Sequence, residues 1–137
     1  MGSGPASWRG LDLRVLPTEL VVARLPAGSP VPDAIWSATD LVSVTVTSEE
    51  VSIICPRGEL LPGAQVEAGW RAMKVLGRLE LSLTGVLASL AGPLAAAGVS
   101  VFAMSTYDTD YLLVRHDALD VAVSVLRGVG HRFEHEG

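Results

Sequence analysis

Residues 81–114 read LSLTGVLASLAGPLAAAGVSVFAMSTYDTDYLLV, and few folds accommodate that order. Leu83, Val86, Leu87, Leu90, Leu94 and Ala97 recur at helical spacing, which predicts a helix over 85–97 with one apolar stripe. Thr84 is placed to cap its start and Gly98 to stop it in a left-handed turn. Pro93 falls inside the helix and is expected to kink it or shift its last turn, because proline has no amide proton. Residues 99–105 and 109–114 then read as strands, with a turn at 106–108. The polar residues of the stretch gather at two places, 82–85 and 105–110.

The flanking sequence completes a pattern. A strand at 70–79 precedes the helix, and a second helix at 117–128 follows the strand pair. That helix starts at Asp117, carries Leu119, Ala122, Val125 and Leu126 as its stripe, and ends at Gly128 and Gly130. Residues 131–134 can add an edge strand. The order β-α-β-β-α-β is that of a ferredoxin-like α+β unit.

The first half reads as a reduced copy. Leu11, Leu13 and Val15 alternate with Asp12 and Arg14, and 20–25 is a second strand expected to pair with them as a hairpin. Three prolines make 26–33 a loop. A helical turn at 33–38 is expected next, with Asp33 as its cap and Trp36 turned inward. Residues 42–47 and 50–55 form another hairpin, 56–63 a loop, and 65–70 the connection to the next strand. The expected division is a flexible lead-in at 1–10, a degenerate module at 11–68 and a complete one at 69–137.

Composition narrows the function classes. The chain has 137 residues, enough for one domain or two very small modules. It is 49% hydrophobic, with mean hydropathy +0.41. That exceeds what a small monomer comfortably hides, so a self-association face and a homodimer are expected. Ten basic residues against fifteen acidic give a net charge of −5, with no basic run to suit nucleic acid. The longest nearly apolar stretch, 86–99, is interrupted by Ser89, Gly92, Pro93 and Gly98, so no membrane span is expected. A single cysteine and an N-terminus without a secretory layout point to the cytoplasm.

The two polar clusters carry the chemistry. The helix start at Thr84, Gly85 and Val86 offers unpaired backbone N–H groups and a positive dipole end, which suit a carboxylate. Ser105, Thr106 and Thr109 offer hydroxyls, and Asp108 and Asp110 can hold an ammonium or guanidinium group. A free amino acid has both charges. The same residues also read as an ordinary N-cap and an ordinary polar turn. No phosphate loop, catalytic carboxylate pair or nucleophile motif is present, so neither an enzyme nor a cofactor is expected. Cys55 reads as a buried thiol, and His131 and His135 as solvated tail residues rather than metal ligands.

The run from Leu83 to Val114, LTGVLASLAGPLAAAGVSVFAMSTYDTDYLLV, resembles the ACT-domain family, in its tandem-ACT, CASTOR-like branch. SVTVTSEEVSIICP (43–56) and GWRAMKVLGRLELSLTG (69–85) resemble the same branch, and the likeness extends over roughly residues 11–134. It implies ferredoxin-like modules, two in tandem with the first reduced. It also implies regulation by an amino acid, arginine or another, held between ACT units. Carried over by position, it implicates Thr84, Gly85 and Val86 at the helix start, with Ser105, Thr106 and Asp110 on the strand–turn–strand. With one pair of modules in the chain, a site between pairs requires a dimer. Several ACT-like domains serve as dimerisation surfaces alone, and a protein–protein module without a ligand is the alternative expectation.

Overall fold

The computed structural model describes residues 10–38, 40–58, 61–77 and 85–134. In chain order its strands are β1 (Asp12–Val15), β2 (Leu20–Pro26), β3 (Ser43–Val46), β4 (Glu50–Pro56), β5 (Gln65–Val75), β6 (Phe102–Ser105), β7 (Asp110–Arg115) and β8 (Arg132–Phe133). Helix α1 spans Val86–Ala96 and α2 spans Leu119–Gly128. The chain divides into two compact units, residues 17–70 and residues 1–16 with 71–137. The boundary falls inside β5, an 11-residue strand where a connection followed by a shorter strand was expected.

In the unit of residues 17–70 the strand order is β3-β4-β2-β5, with each neighbouring pair antiparallel. The expected hairpin of β3 and β4 forms, with Val46 opposite Val51. Its turn is held by the Thr47 hydroxyl, which accepts the N–H groups of Glu49 and Glu50 at 3.1 Å each. Alternation puts Val21, Ala23 and Leu25 of β2 beside Val51, Ile53 and Cys55 of β4 in one core, as period-2 patterning requires. The register between β2 and β5 slips near Gly69, whose φ of +87° no β-branched residue would tolerate.

Two readings of this unit need correction. Asp33 is the first residue of a 3-10 turn, Asp33–Ser37, rather than its cap; Pro32 takes the cap position without a side-chain bond. Trp36 is 63% exposed, whereas Ile35 is fully buried in the core. Adjacent side chains on such a tight turn point in different directions, and the smaller Ile35 is the one that meets the sheet.

In the other unit the strand order is β6-β7-β5-β1-β8. Omitting β1 leaves the ferredoxin-like order, with β1 inserted between the unit's first and last strands. The β1–β2 hairpin read from the alternation is therefore replaced. β1 lies antiparallel to β5, with Leu13 opposite Val75, and parallel to β8, with Leu13 opposite Phe133. Alternation marks a buried face but not a partner. The observed partners group β1 with residues 71–137, so a cut at 68/69 does not follow the contacts.

Helix α1 starts at Val86 and its buried face is narrower than the expected stripe: Leu87 and Ala97 are exposed, and Leu83 lies outside the described residues. Val86, Leu90 and Leu94 are buried, and Leu90 and Leu94 meet Leu13, Met73, Val75, Leu112, Ala122 and Leu126 in one core. Burial of each large side chain contributes about 1.5–3 kcal/mol. The cap position belongs to Gly85 rather than Thr84, at φ 84° and ψ −6° and without a side-chain cap bond. Thr84 lies outside the described residues. Helix α2 follows a short 3-10 turn at His116–Ala118, so α-helix starts at Leu119, two residues after Asp117.

Candidate functional site

A chain of hydrogen bonds gathers the candidate residues at one end of the sheet of residues 1–16 and 71–137. The Thr109 hydroxyl donates to the carbonyl of Val75, the last residue of β5, at 2.7 Å. Next along, the Leu76 N–H donates to the Asp12 carbonyl at 2.8 Å. The Leu11 N–H donates to Nδ1 of His131 at 3.1 Å, and Nε2 of that ring meets the Ser89 carbonyl in α1 at 3.0 Å. The 106–109 turn and the first turn of α1 therefore lie at the same sheet end.

The turn is internally paired. The Thr106 N–H donates to the Thr109 carbonyl at 2.8 Å, and the Thr109 N–H donates to the Thr106 hydroxyl at 3.2 Å. Ser105 and Asp110 sit opposite each other at the end of β6 and the start of β7. The Ser105 hydroxyl donates to Oδ1 of Asp110 at 2.5 Å. Thr109 is 4% exposed, so its hydroxyl serves the fold rather than a ligand. Ser105, Thr106 and Asp108 are exposed and Asp110 is half-buried, which leaves acidic and hydroxyl groups facing outward. Tyr107 stands at the tip, exposed.

At the helix start Gly85 is exposed and Val86 is buried. The first helical bond runs from the Ser89 N–H to the Gly85 carbonyl at 2.9 Å, so the N–H groups of Val86, Leu87 and Ala88 lack partners within the helix. Val86 thus contributes a backbone donor while its side chain is buried. Beside this end opens a cleft of about 560 Å³ lined by Asp12, Leu76, Gly77, Arg132, Phe133 and Glu134. None of the described candidates lines it. Arg132 bonds Asp12 at 2.7 Å, and that bond raises its already basic pKa.

His131 is the residue that sequence reasoning missed. Read as a solvated tail residue, it is 4% exposed and uses both ring nitrogens. A signal existed in Pro93, which deprives the Ser89 carbonyl of its helical donor, although nothing local says which residue replaces it. His135 lies outside the described residues. Among the described residues no three His, Cys, Asp or Glu side chains are grouped to hold a metal ion. No helix among them is long and apolar enough to cross a membrane.

The sequence model of the ACT domain matches residues 65–128, which include β5, α1, β6, β7 and all of α2. Residues 65–128 are an ACT domain. It is similar to "Cytosolic arginine sensor for mTORC1 subunit 1" of Homo sapiens, 37% identical over 59 residues, 42% of this chain and 18% of that protein. The Mus musculus counterpart is 28% identical over 103 residues, covering 74% of this chain and 31% of its own length. The chain thus spans under a third of these relatives. Among solved structures, protein Atu0741 of Agobacterium tumefaciens is 32% identical with a TM-score of 0.83, covering 93% of this chain and 96% of that one. The ACT fold also recurs in aspartate kinase of Clostridium acetobutylicum, 10% identical with a TM-score of 0.62, covering 82% of this chain and 33% of that enzyme.

Proposed function

We propose that this ACT-domain protein is a non-catalytic regulatory sensor that binds a free amino acid between ACT units of two copies in a homodimer. The observation that carries the reading is one sheet end holding both the first-turn N–H groups of α1, which have no partner within the helix, and the Ser105–Asp110 pair. The first suits an α-carboxylate. The second suits an ammonium or guanidinium group. The name of the arginine-sensing relatives supports an amino acid as the ligand class and the cytosol as the place of action. Gly85 and Val86 supply backbone donors in this scheme, Asp110 the counter-charge with Asp108 nearby in the turn, and Ser105 and Thr106 orienting hydroxyls. Thr84 joins the first group by its place in the sequence.

A ligand stabilises the state it binds in proportion to the logarithm of its excess, by about 2.7 kcal/mol at a hundredfold excess over Kd. A thermal-shift screen of the proteinogenic amino acids at millimolar concentration tests the proposal. A rise in Tm with at least one of them, lost in Asp110→Asn, is the expected result. No shift with any amino acid counts against it.

The second reading, a dimerisation module without a ligand, is favoured by the exposed apolar side chains of Trp36, Val46 and Val66 in the unit of residues 17–70. It predicts unchanged self-association in Asp110→Ala and weakened self-association in Val46→Lys.

A further inference from the structure

We infer that His131 is a positioning residue: its imidazole supplies the donor that Pro93 denies to the Ser89 carbonyl, and so fixes the first turn of α1. In an uninterrupted helix the Ser89 carbonyl would accept the N–H of residue 93. Proline has no such proton, and its ring crowds the carbonyl four residues back. A carbonyl left without a donor in half-buried surroundings is destabilising. Nε2 of His131 lies 3.0 Å from that oxygen, 42 residues away in sequence.

The other ring nitrogen sets the proton. Nδ1 accepts the Leu11 N–H at 3.1 Å, so the ring proton sits on Nε2 and points at Ser89. The His131 N–H is itself anchored on the Leu126 carbonyl, at the end of α2, at 3.0 Å. One residue therefore joins the lead-in to β1 and the first turn of α1 through its ring, and the end of α2 through its backbone N–H. Helix α1 contains no charged residue, and among the described residues its one other side-chain bond at that turn is the Ser89 hydroxyl on the Val86 carbonyl at 2.7 Å. The ring is thus the polar tie between the helix and the rest of its unit among the described residues.

The consequence for the ligand site rests on the proposed amino-acid reading. The donors offered by Val86, Leu87 and Ala88 stay aimed only while the turn ending at Ser89 is held. His131 then acts on the ligand through Ser89 without touching it.

Two measurements decide the positioning role without a ligand. Imidazole nitrogen NMR of the wild-type protein should report a proton on Nε2 of His131; a proton on Nδ1, or an averaged ring, would overturn the inference. The second is a double-mutant cycle, in which His131→Phe keeps the ring and removes both bonds, and Pro93→Ala restores a backbone donor for Ser89. The Tm lost in His131→Phe should shrink in the Pro93→Ala background, whereas equal losses would sink the proposal. The amino-acid thermal shift, repeated on His131→Phe and on His131→Gln, which keeps a donor for Ser89, tests the consequence. The response should fall in the first and recover in the second. An undiminished response in His131→Phe would refute the functional role, while no response in the wild type would refute only the ligand reading.

Discussion

The hydroxyl of Thr109 donates to the carbonyl of Val75 at 2.7 Å, and this bond ties the polar turn to the end of β5. Both groups are sheltered, Thr109 at 4% exposure and Val75 fully buried. Replacing Thr109 by Val keeps the shape and leaves the Val75 carbonyl without its donor. A loss of about 1–3 kcal/mol is expected, read by urea unfolding, with Thr109→Ser retaining most of the stability.

Asp110 offers a test that separates the proposed binding from folding. Its bond to the Ser105 hydroxyl is exposed, so Asp110→Asn should change stability by only about 0.5 kcal/mol or less. The amino-acid thermal shift should nevertheless disappear. A variant that loses both together would make Asp110 a fold residue.

Gly10 approaches the end of α2 too closely for any side chain. A methyl group there would lie 2.8 Å from the Gly130 carbonyl oxygen and 2.5 Å from Nη1 of Arg132. Arg132 can swing away, being largely exposed, but the backbone oxygen cannot. Gly10→Ala should lower Tm and raise hydrogen exchange at Arg132, whose N–H bonds the Leu11 carbonyl at 2.8 Å.

Ile35 and Trp36 should respond in opposite order to their size. Ile35→Ala removes a fully buried side chain and is expected to cost about 2–5 kcal/mol. Trp36→Ser removes a mostly exposed one, with an expected change of about 0.5 kcal/mol or less in chemical denaturation.

Leu90 and Leu94 carry the α1 stripe and are both fully buried. Leu94→Ala should cost about 2–5 kcal/mol, whereas Leu87→Ala, on the exposed side of the helix, should cost far less. Equal losses at both positions would contradict the packing described for α1.

Much of this protein was legible locally. Of the apolar stripe read from the 3.6-residue period, Val86, Leu90 and Leu94 are buried while Leu87 and Ala97 are exposed, and α1 begins within a residue of the expected start. The β6–β7 pair and its polar turn follow from alternation on either side of STYDTD. Ser105 and Asp110 were identifiable because a tight turn of only four intervening residues brings them opposite each other.

Tertiary structure decided the rest. Alternation in β1 showed that one face is buried, yet it could not say that β5 and β8, rather than β2, supply the hydrogen bonds. Backbone groups on a strand edge are chemically alike, so partner choice depends on what else packs nearby. Trp36 faces outward because Ile35 already fills the space over the sheet. His131 is buried because Pro93 freed a carbonyl on a distant helix, and Leu11 offered an N–H at the same place. Residue type and spacing determine elements and their buried faces; which unpaired groups meet is settled only when those elements assemble, because a hydrogen bond needs both partners within about 3 Å.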